Sequence, residues 1–201
     1  MKTIVYIDGQ NFLYKAAEVL LKFGLIADKQ DLTAIDMPPL MKKILGDDDI
    51  EIRFYGVGKI KRRGDLGQDI LTKSIRFADN ARRVRNSLIK QGVQFVEAGK
   101  LKVRDSDVCK VCGSKDYRFQ EKGVDVGMAV DMVADAILKD VDRVVLVSSD
   151  TDLIPAVKRV QQAGVEIIYV GFSERLTPRL VALVKKTITI TDEQIVEVFS
   201  K

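Results

Sequence analysis

The chain has 201 residues, 46% of them apolar and 31% charged, with a net charge of +4; this is the profile of a soluble globular protein long enough to bury a core. It contains no histidine, which excludes a Ser-His-Asp triad, a Cys-His pair and a histidine-held zinc centre, and leaves catalysis to carboxylates, lysines, hydroxyls, thiols or a metal held by oxygen. No apolar run approaches membrane-span length, no basic-then-apolar leader opens the chain, and the two cysteines fit a reducing compartment, so a cytoplasmic protein with no membrane partner is expected.

In chain order, "TIVYIDG" is a β-rich apolar run stopped by Asp8-Gly9 and followed by a helical pattern through Phe12, Ala16, Val19, Leu20 and Phe23. "DIEIRFYGVG" reads as a second strand, bounded by Asp and Gly. A long helix is expected over 69–91, ending at Gly92. "VQFVEAGKLKV" reads as a strand broken or bulged at Gly99. A helix follows over 124–138, with Val126, Val130, Val133 and Ile137 as its apolar stripe. "RVVLVSS" is a continuous apolar run, as in a strand covered on both faces. A helix over 153–163, the strand "GVEIIYVGF", a short helix over 175–184, an edge strand at "TITI" and a helix starting at Asp192 complete the chain. Strands alternating with helices predict an α/β domain over 1–201: a mostly parallel sheet flanked by helices, with a cysteine-containing loop inserted at about 104–120.

In such a sheet, function gathers at the carboxyl ends of the strands. Asp8 ends the first strand, Asp125 opens a helix just after Lys122-Gly123, and Asp150 and Asp152 follow the strand "RVVLV". Pro155 places the next helix start near 151–153, so both carboxylates occupy a strand-to-helix turn. Three readings stand for that pair: a helix cap, a salt-bridge partner, or a site for a hard divalent cation that offsets their repulsion. Asp8, from another strand but at the same edge, moves the balance toward the cation. Asp131 lies six residues after Asp125, so on one helix the two carboxylates point about 120° apart and do not line one cavity. Asp135 reads as solvated.

Charge is unevenly spread. Between Lys59 and Arg104 there are 13 basic and 4 acidic residues. Either this is a solvated helix face or it is a platform for a phosphate backbone. Lys59, Lys61, Arg62 and Arg63 follow the second strand, on the acidic edge if that strand is parallel, and Arg76, Arg82, Arg83 and Arg85 decorate the long helix. Tyr55, Tyr14 and Phe12 are the aromatics available to stack on bases, with core packing expected for Phe12.

Cys109 and Cys112 form a C-x₂-C knuckle within "VCKVCGSKDY". Zinc needs four ligands, and the chain has no third cysteine. The readings are a Cys₄ zinc site pooled between two chains of a homodimer, a remnant or weak site completed by Asp105, Asp107 or Asp116, or a redox dithiol. A dinucleotide site is excluded, because no G-x-G-x-x-G follows the first strand. A P-loop is absent as well. A phosphatase with a nucleophilic first aspartate normally wants a second acid two residues on, where Gln10 stands.

"YIDGQNF" (Tyr6–Phe12), "EKGVDVGMAVDM" (Glu121–Met132) and "VSSDTDLIPAV" (Val147–Val157) together resemble, in order and spacing, the three signature segments of the NYN domain, a family of the PIN-like nuclease superfamily. "GVEIIYVGF" with the following "SERL" is similar to the family's closing strand and helix. The resemblance spans essentially the whole chain. It implies a PIN-like three-layer fold and metal-dependent phosphodiester cleavage, usually of RNA. It also implies Asp8, Asp125 and Asp150 as the Mg²⁺ or Mn²⁺ site, Asn11, Ser149 and Asp152 as supporting polar positions, and Lys122 as the lysine before the middle aspartate. Lys122 reads equally as a phosphate contact or an aspartate partner. Such an ion, held by carboxylates, lowers the pKa of a bound water, polarises the phosphate and steadies the leaving oxygen. The expectation is therefore a ribonuclease acting on single-stranded RNA; the rival is a non-catalytic RNA-binding or regulatory protein that keeps the fold.

Overall fold

A computed structural model describes the chain except at 33, 47–48, 59, 106–116 and 200–201, and except for the side chains at 30, 105 and 118. The first strand, β1 (Thr3–Asp8), is buried along nearly its whole length. Its side chains alternate between two cores, as the two-residue repeat of a strand requires: Val5 and Ile7 enter one, Ile4 and Tyr6 the other. The chain then passes through α1 (Gly9–Lys22) and α2 (Met37–Leu45) to β2 (Ile50–Gly56), and through α3 (Gln68–Lys90) to β3 (Gln94–Glu97). α2, absent from the sequence expectation, starts on Pro38-Pro39 and stops on Gly46 in the left-handed conformation.

After β3 the chain leaves the main sheet. Gly99 turns at φ +72°, and a Cβ there would lie 2.5 Å from the Lys122 carbonyl oxygen and 2.8 Å from the Val124 nitrogen. The expected break at Gly99 is thus a full change of sheet. β4 (Lys100–Asp105) and β5 (Tyr117–Lys122) form a separate antiparallel pair. Cys109 and Cys112, with Asp107 and Asp116, lie outside the described residues, as does Lys59.

The second half runs α4 (Val124–Leu138), β6 (Arg143–Val147), α5 (Ile154–Gln162), β7 (Glu166–Phe172), α6 (Pro178–Val181), β8 (Lys186–Ile190) and α7 (Asp192–Glu197). The expected helix over 175–184 contracts to the four residues of α6, because Pro178 is its first residue and Leu176 and Thr177 before it are extended. β8 is an edge strand, as "TITI" suggested.

The main sheet has six strands, all parallel, in the order β3-β2-β1-β6-β7-β8. Residues of α1, α2, α3 and α7 pack with one core, and residues of α4, α5 and α6 with the other. This is a three-layer α/β fold. Strand order reverses between β1 and β6: the chain builds outward from β1 to β3, then returns to β1's other side and builds outward again. Ligand crevices in open α/β sheets form at such a reversal, outside the carboxyl ends of the strands.

Of the stripe expected on α4, Val133 packs partly buried against the core and the rest faces outward. Val126, Val130 and Ile137 are about 60% exposed, whereas Val124, Met128, Met132 and Ala136 are buried. α4 is apolar around most of its circumference, so periodicity alone offered two stripes, and packing chose the one with the flexible methionines. Among the described residues no helix is long and apolar enough to cross a membrane.

Candidate functional site

Asp8 is the last residue of β1 and the N-cap of α1, and its Oδ1 accepts the Asn11 N–H at 3.1 Å. The helix can begin there because Gly9 has no Cβ; one would stand 2.4 Å from the Tyr55 carbonyl oxygen and 2.2 Å from the Phe54 ring. Across the strand reversal, Asp150 follows β6 in the same manner: its Oδ1 accepts the Asp152 N–H at 2.9 Å. Both carboxylates act as helix caps, the first of the three readings. Capping fixes one oxygen and aims the rest of the group at the sheet edge.

Asn11 joins the two strand ends. Its Nδ2 donates to Ser149 Oγ at 2.9 Å, and its Oδ1 accepts the Ser149 N–H at 3.3 Å. Ser148, 4% exposed, donates its hydroxyl to Asp8 Oδ2 at 2.9 Å and accepts the Asp150 N–H at 3.1 Å. Thr177, in the turn after β7, donates to the Ser149 carbonyl at 2.9 Å. The rim is therefore held by neutral groups that add no charge of their own.

Asp125 arrives from elsewhere, in the first turn of α4. Asp125, Asp150 and Asp152 each bring a carboxylate oxygen within 4.8 Å of the others. Asp8 stands outside this trio but feels it. Burial holds the Asp8 carboxyl above its ordinary range, opposed by the hydrogen bonds from Asn11 and Ser148, with the Asp150 and Asp125 charges pushing it further up. No salt bridge among the described residues engages Asp8, Asp125, Asp150 or Asp152. The amino ends of α1, α4 and α5 offset part of the repulsion through their dipoles. An all-oxygen, anionic donor set this close suits a hard divalent cation such as Mg²⁺ or Mn²⁺.

Two other aspartates of α4 have different fates. Asp131 accepts the Tyr55 hydroxyl at 2.9 Å, in keeping with its expected divergence from Asp125. Asp135, expected to be solvated, is instead 16% exposed, ion-paired with Arg53 at 2.5 Å and hydrogen-bonded by the Tyr6 hydroxyl. Both tyrosines are fully buried and stack on each other with ring centroids 6.1 Å apart. Burial pushes their phenols far above the ordinary value, and the carboxylates accepting their hydrogen bonds add to the shift. Tyr55 and Phe12 are therefore core residues. Tyr14, 53% exposed, is the aromatic of the three open to a ligand.

β2 is parallel to β1, so Lys61, Arg62 and Arg63 do follow its carboxyl end. Lys61 and Arg62 are exposed. Arg63 holds Asp65, Arg76 holds Asp28 and Asp31, Arg82 holds Asp79 and Arg85 holds Glu97. These exposed pairs are worth little and exchange readily for phosphate. Arg83 and Lys122 are exposed.

Sequence reasoning passed over three residues. Lys15 lies one helical turn beyond Asn11; burial and Arg175 lower its pKa while Asp8 raises it, which makes it a cation within electrostatic reach of the acidic rim. Glu121, at the end of β5, is pushed up to about 7 by burial and then by the Asp8 charge. Ser148 is the third. The i, i+4 spacing of Asn11 and Lys15 was a usable signal for the lysine. Nothing local marked the other two.

The family description "NYN domain" matches residues 2–191. The chain belongs to the NYN family. Among solved structures, a protein of unknown function from Vibrio parahaemolyticus shares the fold with this NYN domain at TM-score 0.58 and 18% identity, over 94% of this chain and 92% of that one. An isopentenyl phosphate kinase from T. acidophilum, solved as a product complex, aligns at TM-score 0.38 and 10% identity over 94% of this chain and 100% of its own; a likeness that weak carries no argument. No curated protein matches the chain.

Proposed function

We propose that this NYN domain is a divalent-metal-dependent nuclease that hydrolyses phosphodiester bonds in single-stranded RNA. Family membership supports the reaction class. One geometric observation carries the site: carboxylates from α4 and from the turn after β6 meet within 4.8 Å at the reversal of strand order, without a basic partner among the described residues. Asp125, Asp150 and Asp152 would hold Mg²⁺ or Mn²⁺, which supplies Lewis-acid activation of water and phosphate when bound. Asp8, held by Ser148 and the Asn11 N–H, would deepen the negative charge behind them.

The chain's own groups divide the remaining work. Asn11 and Ser149 lock the two strand ends together, so the carboxylates meet the ion in a preset arrangement. Lys15 and Arg175, on the α1 side, and Lys122, on the hairpin side, are cations that draw and orient a phosphate which the acidic rim alone would repel. Lys61, Arg62, Arg76, Arg82 and Arg83 extend that attraction along the strand. Glu121, its carboxyl pushed up to about 7 by burial and then by the Asp8 charge, would be a group able to take or give a proton beside the rim in a chain without histidine.

Purified protein incubated with end-labelled single-stranded RNA should cleave it with Mg²⁺ or Mn²⁺ and stop on addition of EDTA. Binding without metal-dependent cleavage would move the protein to the non-catalytic, RNA-binding reading.

A further inference from the structure

Directly beside Asp8, starting at Gly9 and Gln10, the surface opens into a cavity of about 310 Å³ between α1, α3 and the β4–β5 hairpin. Its walls are unlike the acidic rim. Phe77 from α3 and Phe119 from β5 meet there with ring centroids 4.8 Å apart, and both remain only half-buried. Tyr14, from α1, forms another wall, with Lys29 Nζ 3.5 Å from its ring centroid. Glu121 and Gln10 bring polar atoms to the same cavity. A fold that only needed stability would fill such a space, because half-buried rings around an open cavity forgo packing with neighbours.

The volume lies at the small end of the roughly 300–1,000 Å³ typical of small-molecule sites, enough for a single nucleoside and too narrow for a duplex. Its surroundings are rich in basic side chains, most of them ion-paired at the surface: Lys29 with Glu18, Arg76 with Asp28 and Asp31, Arg82 with Asp79 and Arg85 with Glu97. α3 carries Arg76 and Arg83 on one flank of the cavity and Arg82 and Arg85 on the other. Flat π-faces ringed by basic side chains are how proteins hold unpaired bases while tracking the backbone.

We propose that this cavity takes the base of one nucleotide of the substrate, turned out of its stack, so that the neighbouring phosphate falls on the acidic rim. The inference rests on the nuclease reading for its substrate and adds a positioning device to it. A base enters only when unpaired and unstacked, so the cavity selects single strands by shape. Tyr14, Phe77 and Phe119 supply stacking, Lys29 and the α3 arginines exchange their surface carboxylate partners for the adjoining phosphates, and Gln10 and Glu121 face the base edge.

The test compares two short strands in EDTA by fluorescence anisotropy: a ribose-phosphate strand without bases, and the same strand carrying a single central base. Wild-type protein should bind the one-base strand about tenfold more tightly, within the range expected for one base–aromatic stack. Tyr14→Ala, at an exposed position, and Phe119→Leu, which keeps an apolar wall, should each shrink that preference severalfold. Equal binding of the two strands by wild type overturns the proposal. So does a preference undiminished in both variants, or preferential binding of an aromatic peptide that one base cannot displace. Because cleavage plays no part in the readout, loss of metal-dependent activity would sink the nuclease reading while leaving this result to stand or fall by itself.

Discussion

Helix α4 carries two kinds of aspartate, which differ in what the fold sets beside them. Asp131 and Asp135 sit in its middle and last turns, and each has a partner supplied by the fold: the Tyr55 hydroxyl for one, Arg53 and the Tyr6 hydroxyl for the other. Asp125, in the first turn, has instead the carboxylates of Asp150 and Asp152 within 4.8 Å. The same residue type on the same helix is satisfied by a phenol or a guanidinium at Asp131 and Asp135, and crowded by like charge at Asp125. Like charges held this close repel, at a cost to the native state unless something outside the chain offsets them, and Asp8 beside them registers it: burial first, with the Asp150 and Asp125 charges adding to it, holds its carboxyl above the ordinary range. The fold accepts that cost at the reversal of strand order.

Breaking the unpartnered set should have the largest effect on function. Asp150→Asn keeps a side chain that can still cap the turn, and should lower the cleavage rate at least about 100-fold, the scale of losing one preorganised electrostatic element. RNA binding in a filter or anisotropy assay should persist. Equal cleavage by both proteins would assign the activity elsewhere.

Breaking the partnered set should do the reverse. Asp135→Asn leaves Arg53 short of a carboxylate and should cost about 1.5–3 kcal/mol, the usual worth of a charged hydrogen bond. In a chain of this size each kcal/mol moves Tm by about 2–4 °C. Thermal denaturation should show that fall while the cleavage rate of the folded variant stays at the wild-type level. A variant with unchanged Tm and lost activity would erase the distinction between the two kinds of aspartate.

A smaller effect follows from Glu121. Its carboxyl has an ordinary pKa of 4.5 and is raised to about 7 in the folded protein. The native state therefore binds the proton more tightly than the unfolded chain, so stability falls as pH rises from about 4.5 to about 7 and levels off above that. Glu121→Gln should flatten this part of the pH profile, raising Tm by a few degrees at pH 8 and leaving it unchanged at pH 4.5. An identical slope in both proteins would remove Glu121 from the electrostatics of the rim.

The least effect is expected from single exposed cations. Lys61→Ala or Arg62→Ala should lower the slope of log Kd against log salt by about 1 for each phosphate left without its cation. Arg63→Ala should do less, because Arg63 must first release Asp65.

The sheet was legible in the sequence because strands buried on both faces read as unbroken apolar runs, as in "VVLV" and "EIIYV". The acidic rim was legible because aspartates ending such runs fall at one edge of a parallel sheet. The legible part stops where tertiary packing decides. α4 offered two apolar stripes, and the choice of Met128 and Met132 over Val126 and Val130 depends on what β1 and β2 present to them. Asp152 joins Asp125 and Asp150 in one group of carboxylates and Asp8 does not, a matter of how the turn after β6 closes rather than of spacing. Glu121 and Phe119 reach the site because the hairpin leans on α3 through Phe77, and no local pattern encodes that approach. Ser148 is an ordinary serine until its two hydrogen bonds are seen.

The most direct test is calorimetric titration of Mn²⁺ into the wild-type protein and into Asp150→Asn, with short RNA present and absent. Convergence of Asp125, Asp150 and Asp152 on one ion predicts saturable uptake by the wild type, weakened in the variant by at least the ~10–100-fold that loss of even an outer-shell partner costs. No uptake under either condition, or equal uptake by both proteins, would contradict it.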